Sequence, residues 1–140
     1  PLFARARQRP GMAGAPASLA GIKQMLKALK QGQAVGLLPD QVPPAGMGVW
    51  ADFFGQSAYT MTLAAKLAAQ TGAAVLLDVG ERLPHGRGYR VWVEPAPSAL
   101  PPEPQAAAAQ VNQWMETLIR RYPQQYLWGY ARYKAPKEAL

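Results

Sequence analysis

The chain has 140 residues, enough for one domain, and with 49% hydrophobic and 16% charged residues it can bury a core and is not disordered by composition. It contains no cysteine and a single histidine, His85, which excludes disulfide scaffolds, thiolate metal sites and multi-histidine metal centres. The net charge of +7 is uneven, with six basic residues and no acid before Asp40, a net of −3 over residues 40–81, and +3 over the last 36 residues.

Residues 10–17, rich in Gly, Pro and Ala, read as a loop. Ser18 is placed to cap a helix whose apolar face is Leu19, Ile22, Leu26 and Leu29, with Met25 beside it and Gly32 as the stop. Ala34–Leu38 is a short apolar run ending at Pro39, predicted as a buried strand. Residues 40–48 hold Pro43, Pro44, Gly46 and Gly48 and must form a loop, and 52–55 read as an aromatic turn. A second helix is predicted from Thr60 or Thr62 through Gln70, closed by Gly72. Residues 73–79 read as a second buried strand and Tyr89–Glu94, by alternation, as a half-buried one; the LPHGRG link at 83–88 suits a hairpin, so the two should be antiparallel neighbours. Residues 95–104 hold five prolines and read as an extended linker. A third helix is predicted from about Gln105 to Tyr122, with Val111, Met115, Leu118, Ile119 and Tyr122 as its stripe and Trp114 beside it, interrupted at Pro123.

This order of elements indicates an α/β fold: a partial layered αβα domain with a small mixed sheet flanked by helices. Three strands make a meagre sheet, and no apolar run approaches the roughly 20 residues that span a bilayer. The chain begins at Pro1 with no signal pattern, and reads as a portion of something longer.

Few residues suggest chemistry on their own. Asp40 and Gln41 follow the predicted strand 34–38, and in open α/β sheets ligands bind at the carboxyl ends of strands; the same pair would equally serve a turn. His85 sits at a hairpin tip, where a general base has neither a positioning partner nor shelter from water. Asp78 inside an apolar strand must face solvent or find a partner such as Arg82 or Lys66. No phosphate-cradling glycine loop or Gly-x-Ser-x-Gly elbow occurs. In the tail, Tyr126, Trp128, Tyr130, Arg132, Tyr133 and Lys134 interleave aromatics with cations, a set that suits nucleic acid, a membrane interface, or packing onto the sheet. The basic ends suit an anionic partner or are solvated faces.

Taken in order, GQAVGLLPDQ, GVWADFFG with YTMT after it, TGAAV, GERLPHGRGYR and QYLWGYARYK resemble the bacterial lipid A biosynthesis acyltransferases, the lauroyl and myristoyl transferases of the lysophospholipid acyltransferase superfamily. The resemblance runs over most of residues 18–134. It implies an enzyme of the cytoplasmic face of the inner membrane that moves a fatty acyl group from acyl carrier protein, or acyl-CoA, to a hydroxyl of a lipid A precursor or lysolipid, without metal or cofactor and without nucleic acid as a partner. It also implies a His-x4-Asp/Glu pair in which His deprotonates the hydroxyl and the acid orients it. His85 has Arg90 at the acid's position and falls in the wrong segment. Residues 1–140 are therefore expected to be the C-terminal part of a single acyltransferase domain, inactive alone, with the anchor and the dyad upstream. The resemblance puts Asp40, Gln41 and Arg82 on the substrate side. Residues 73–79 depart from it in Ala74, Leu77 and Asp78. The competing reading is a non-catalytic basic module that binds anionic lipid or nucleic acid.

Overall fold

A computed structural model describes residues 11–137, so the Arg5, Arg7 and Arg9 cluster lies outside the described residues. The backbone divides into two units, residues 1–36 and 37–140.

The first unit carries helix α1, Leu19–Lys30. The Ser18 hydroxyl accepts from the Gly21 N–H at 3.5 Å, and Lys27 and Lys30 in the last turn complement the helix dipole. Gly32, at φ +75°, closes the helix: its N–H donates to Leu29 O and the Gln33 N–H to Ala28 O. Ile22, Met25, Leu26 and Leu29 are half-buried as the spacing predicts, whereas Leu19 is exposed. Ala34–Leu38 is not a strand. An apolar pentapeptide becomes one only when a neighbouring strand takes its N–H and C=O groups, and none does so among the described residues.

The second unit is built on a hairpin that the sequence reading recognised only at its turn. Strands β1, Gly48–Phe53, and β2, Gln56–Met61, pair antiparallel with Phe53 opposite Gln56. The two turn residues, Phe54 and Gly55, have φ +51° and +78°, the double positive φ of a type I′ turn. Phe54 is an unusual residue there. Its N–H donates to Glu116 Oε1 at 2.7 Å and its ring lies under the Arg120 guanidinium, 4.9 Å away, so packing offsets the backbone cost.

Helix α2, Leu63–Thr71, starts at Thr62 and ends at Gly72 in the left-handed region; Thr60, the other expected cap, belongs to β2. Helix α3, Pro104–Arg121, begins on Glu103, whose carboxylate accepts from the Gln105 and Ala106 N–H groups, bonds that hold its carboxyl below the ordinary value. It lies across β1 and buries Ala107, Ala108, Val111, Trp114 and Ile119. Phe53, Ala58 and Ile119 form the core, with Phe54, Met115 and Tyr126 packed against it.

Strands β3, Leu76–Arg82, and β4, Tyr89–Pro95, form the second antiparallel pair, joined by the expected turn at 83–88. Among the described residues the strands therefore form two separate two-stranded ribbons and not one small mixed sheet, within the α/β class that the pattern indicated. β3 begins three residues later than expected and is not buried. Leu76, Asp78, Gly80 and Arg82 are exposed, as are Tyr89, Val91 and Val93 opposite them. A two-stranded ribbon has no second layer on that face, so apolar residues alone do not enclose it. Asp78 resolves its burial cost by facing solvent, and among the described residues it pairs with neither Arg82 nor Lys66. No helix among the described residues is long and apolar enough to cross a membrane.

Candidate functional site

The loop that holds Asp40 and Gln41 has no regular structure of its own, yet most of its N–H groups are taken. Val42 N–H donates to Tyr130 Oη at 2.8 Å, Ala45 N–H to Lys137 O at 2.9 Å, and the Gly46 and Gly48 N–H groups both donate to Tyr59 Oη at 3.0 and 3.2 Å. Two phenols, one from β2 and one from the tail, thus do the work of a partner strand. At Gly48 the fit admits no side chain: a Cβ would stand 2.6 Å from Thr60 O and 2.8 Å from Pro43 Cγ. The Pro39–Gln41 turn is looser, closed by a Gln41 N–H to Leu38 O bond of 3.4 Å. Asp40 is half-buried and Gln41 exposed.

Behind this loop the tail is fastened by Arg132, only 3% exposed. Its Nη1 donates to Tyr59 O at 2.8 Å, and its Nη2 to Thr60 Oγ1 at 2.7 Å and to Asn112 Oδ1 at 3.3 Å. The guanidinium stacks 5.0 Å from the centre of the Phe53 ring. Asn112, fully buried on α3, donates in turn to Asp52 O at 2.7 Å and Thr60 Oγ1 at 3.0 Å. Tyr133 Oη donates to Phe53 O at 2.9 Å. One polar network therefore ties the tail, β1, β2 and α3. It contains no carboxylate in salt-bridge contact with Arg132 among the described residues. Burial lowers the Arg132 guanidinium from its ordinary value, opposed by Tyr126 and then Asp40. Burial, then the Asp40 carboxylate, push the Tyr126 phenol up to about 12, with Arg132 acting the other way. The Tyr126 oxygen is buried beside the Asp40 carboxylate, in a contact short of full hydrogen-bond geometry.

Arg82 lies elsewhere, at the end of β3, with its side chain in solvent. Its backbone is clamped by Gln125: Arg82 N–H donates to Oε1 at 2.7 Å and Nε2 donates to Arg82 O at 3.2 Å. Arg82 lines an open cleft of about 680 Å³ with His85, Tyr89, Gln124 and Gln125, and neither Asp40 nor Gln41 reaches that cleft. His85, exposed at φ +56°, occupies the turn tip as the sequence suggests. Glu81, the carboxylate of the same cleft, is held by Trp92 Nε1 at 3.1 Å and Arg90 at 3.7 Å, so it does not orient His85 as a base.

Sequence reasoning therefore found the loop and missed what holds it. Of the aromatic-basic tail, Arg132, Tyr126 and Tyr130 are drawn inward, while Leu127 and Trp128 stay exposed. Asn112 carried one usable signal: an amide on the helix face that bears Val111 and Ile119 must meet a partner if it is buried.

A sequence model of the bacterial lipid A biosynthesis acyltransferases matches residues 2–135. The chain is 34% identical over 122 residues to the lipid A biosynthesis lauroyltransferase of Escherichia coli K12, a stretch covering 85% of this chain and 40% of that protein. It is 34% identical over 114 residues to the palmitoleoyltransferase of the same organism, covering 81% and 37%, and 30% identical over 109 residues to a lipid A biosynthesis acyltransferase of Haemophilus influenzae, covering 77% and 34%. The chain spans between 34% and 40% of the length of these relatives. With a family match from residue 2 to residue 135, the chain belongs to the bacterial lipid A biosynthesis acyltransferase family.

Proposed function

We propose that residues 1–140 are the C-terminal part of the catalytic domain of an acyltransferase. The whole protein moves a fatty acyl group from acyl carrier protein, or acyl-CoA, to a hydroxyl of a lipid A precursor or a related lipid, at the cytoplasmic face of the inner membrane. The acceptor oxygen attacks the thioester carbonyl; the ester C–O bond forms, the C–S bond breaks, and the hydroxyl proton passes through a base to the departing thiolate. That base is a histidine outside this chain, since among the described residues no acid orients His85. The residues in hand act on the acceptor: Gln41, exposed on the turn that opens the loop, and Arg82, a cation at the turn cleft with no ion pair among the described residues, contact it, and Asp40 sets the loop's geometry.

The observation that carries this reading is the held Asp40–Gly48 loop in a chain of this family: four of its N–H groups are spent on Tyr130, Lys137 and Tyr59. Such fixing costs side-chain and loop entropy, and a plain surface turn has no need of it. The competing reading, a non-catalytic basic module that holds anionic lipid or nucleic acid through its basic ends and aromatic tail, loses one cation of that tail, because Arg132 is buried.

The test compares the protein from its full reading frame with the 140-residue chain, measuring transfer from acyl carrier protein to a lipid A precursor. Transfer by the former, none by the latter, and unchanged transfer in full-length His85→Ala are expected. Transfer by the 140-residue chain that His85→Ala abolishes would overturn the assignment of the base.

A further inference from the structure

The turn that joins β3 to β4 alternates the sign of φ along its backbone: +68° at Gly86, −71° at Arg87 and +90° at Gly88. Such alternation turns neighbouring N–H groups toward one side and makes a concavity that takes an anion. The Gly88 carbonyl closes the turn by accepting from Leu83 N–H at 2.9 Å, but the Gly88 N–H donates to nothing among the described residues. A Cβ at Gly86 or Gly88 would meet nothing within 4 Å, so these glycines supply a backbone conformation and not room for packing.

Cations gather at the same place. Residues 81–90 hold three arginines against one glutamate. Glu81 is already held by Arg90 and Trp92, and Arg82 makes no ion pair among the described residues. Arg82 lies opposite Tyr89 in the ribbon, next to Gly88, and Gln125 holds its backbone at both N–H and C=O. Arg82, Gly86 and Gly88 line one open cleft of about 680 Å³, within the range of small-molecule pockets. A guanidinium on a fixed backbone beside convergent N–H groups matches the oxygens of a phosphate. At three residues the Gly86–Gly88 run is too short to wrap a polyphosphate, which leaves a single phosphate as the fit.

We propose that this turn is a phosphate subsite: the Arg82 guanidinium and the Gly88 N–H bind a phosphate monoester on the headgroup of the acceptor lipid. This rests on the acyl-transfer reading and names the group that Arg82 contacts. The phosphate anchors the headgroup, and no bond to it is made or broken.

The full-length protein tests this with acceptor lipid in detergent, with its phosphate and after phosphatase treatment. The wild type should prefer the phosphorylated acceptor in kcat/KM. Arg82→Gln should shrink that preference by about tenfold, through KM, the loss of one hydrogen bond between charged groups. The Arg82 side chain is in solvent, so its melting temperature should stay at the wild-type value. A role in the fold alone predicts the reverse, a lower melting temperature and an unchanged preference. Gly88→Ala has space for its methyl but disfavours φ +90°, and should shrink the preference as well. Equilibrium binding of the two lipids without acyl donor supplies a readout that needs no turnover, and should show the same preference. Inorganic phosphate separates the sources: it should compete with the phosphorylated acceptor in the wild type and less in Arg82→Gln. Inorganic phosphate that binds a wild type indifferent to the acceptor's phosphate would make this a site for free phosphate and overturn the lipid assignment. Transfer with no preference in the wild type, or with wild-type preference in Arg82→Gln, would overturn the proposal alone. A wild type that neither binds nor acylates either lipid would overturn the acyl-transfer reading and the proposal with it.

Discussion

Arg132 donates to the hydroxyl of Thr60 at 2.7 Å across 72 residues of sequence, and Asn112 donates to the same oxygen at 3.0 Å. Thr60 Oγ1 spends its own hydrogen on Ala58 O at 3.0 Å, so this one atom has its donor and both lone pairs in use. A buried network of this kind, paired at all of these atoms although Arg132 Nε is not, fixes one arrangement of tail, hairpin and helix. Replacing Arg132 with Met fills most of the volume but strands Tyr59 O and Asn112 Oδ1, and should cost about 2–5 kcal/mol. Arg132→Lys keeps the charge without the planar fork and should fall between Met and wild type. Urea unfolding of the three proteins checks the order; a Met variant as stable as wild type would mean the network contributes nothing net, as buried charges sometimes do.

Asn112 and Arg132 should also couple. Asn112→Ala leaves Arg132 without one acceptor and Asp52 O without its donor, so each single variant already disrupts what the other would remove. The double variant should be less destabilised than the sum of the singles by about 0.5–3 kcal/mol. Strict additivity would place the two residues in separate networks.

The helices were legible because their signals are local: the i, i+3, i+4 stripes, Ser18 before α1, Gly72 after α2, and Pro123 after α3. The β3–β4 hairpin was legible from the alternation of Tyr89, Val91 and Val93 and the LPHGRG turn. The β1–β2 hairpin was not, because Ala58, Tyr59 and Thr60 are buried in succession, covered on both faces, which erases the period of two. Ala34–Leu38 failed in the opposite sense, since an apolar run says nothing about whether a neighbour will pair with it. At the site, Asp40 and Gln41 could be picked out by their place after an apolar run and Pro39. Arg132 could not: a cation among exposed-looking aromatics reads as surface, and only the fold puts three acceptors around it.

Gly48→Ala probes the close approach that brings the loop onto β2. The added methyl would meet the Thr60 carbonyl oxygen, a backbone atom that has no rotamer to escape into. The substitution should destabilise by about 1–3 kcal/mol and loosen the Gly46 and Gly48 amides from Tyr59 Oη. Faster exchange of those two amides in Gly48→Ala, together with a lower melting temperature, is the expected result. Wild-type exchange would show that the strand and loop can part without cost.

Alkaline pH should expose Tyr126. Its phenol is pushed by burial, and then by Asp40, from the ordinary value of 10 up to about 12. The folded protein therefore holds this proton more tightly than the unfolded chain does. A group raised in this way contributes its full stability below pH 10, and that contribution fades as pH climbs through about 12. Tyr133, also raised by burial, adds in the same direction. Stability measured by urea at steps across this window should fall in the wild type and fall less steeply in Tyr126→Phe, which has no proton to lose. All other ionisable groups are common to both proteins, so the difference between the two curves isolates Tyr126. Asp40→Asn removes the anion beside the phenol and should bring its absorbance titration back toward 10. Parallel stability curves for wild type and Tyr126→Phe would mean that the phenol ionises equally well in both states, and would take Tyr126 out of contact with Asp40.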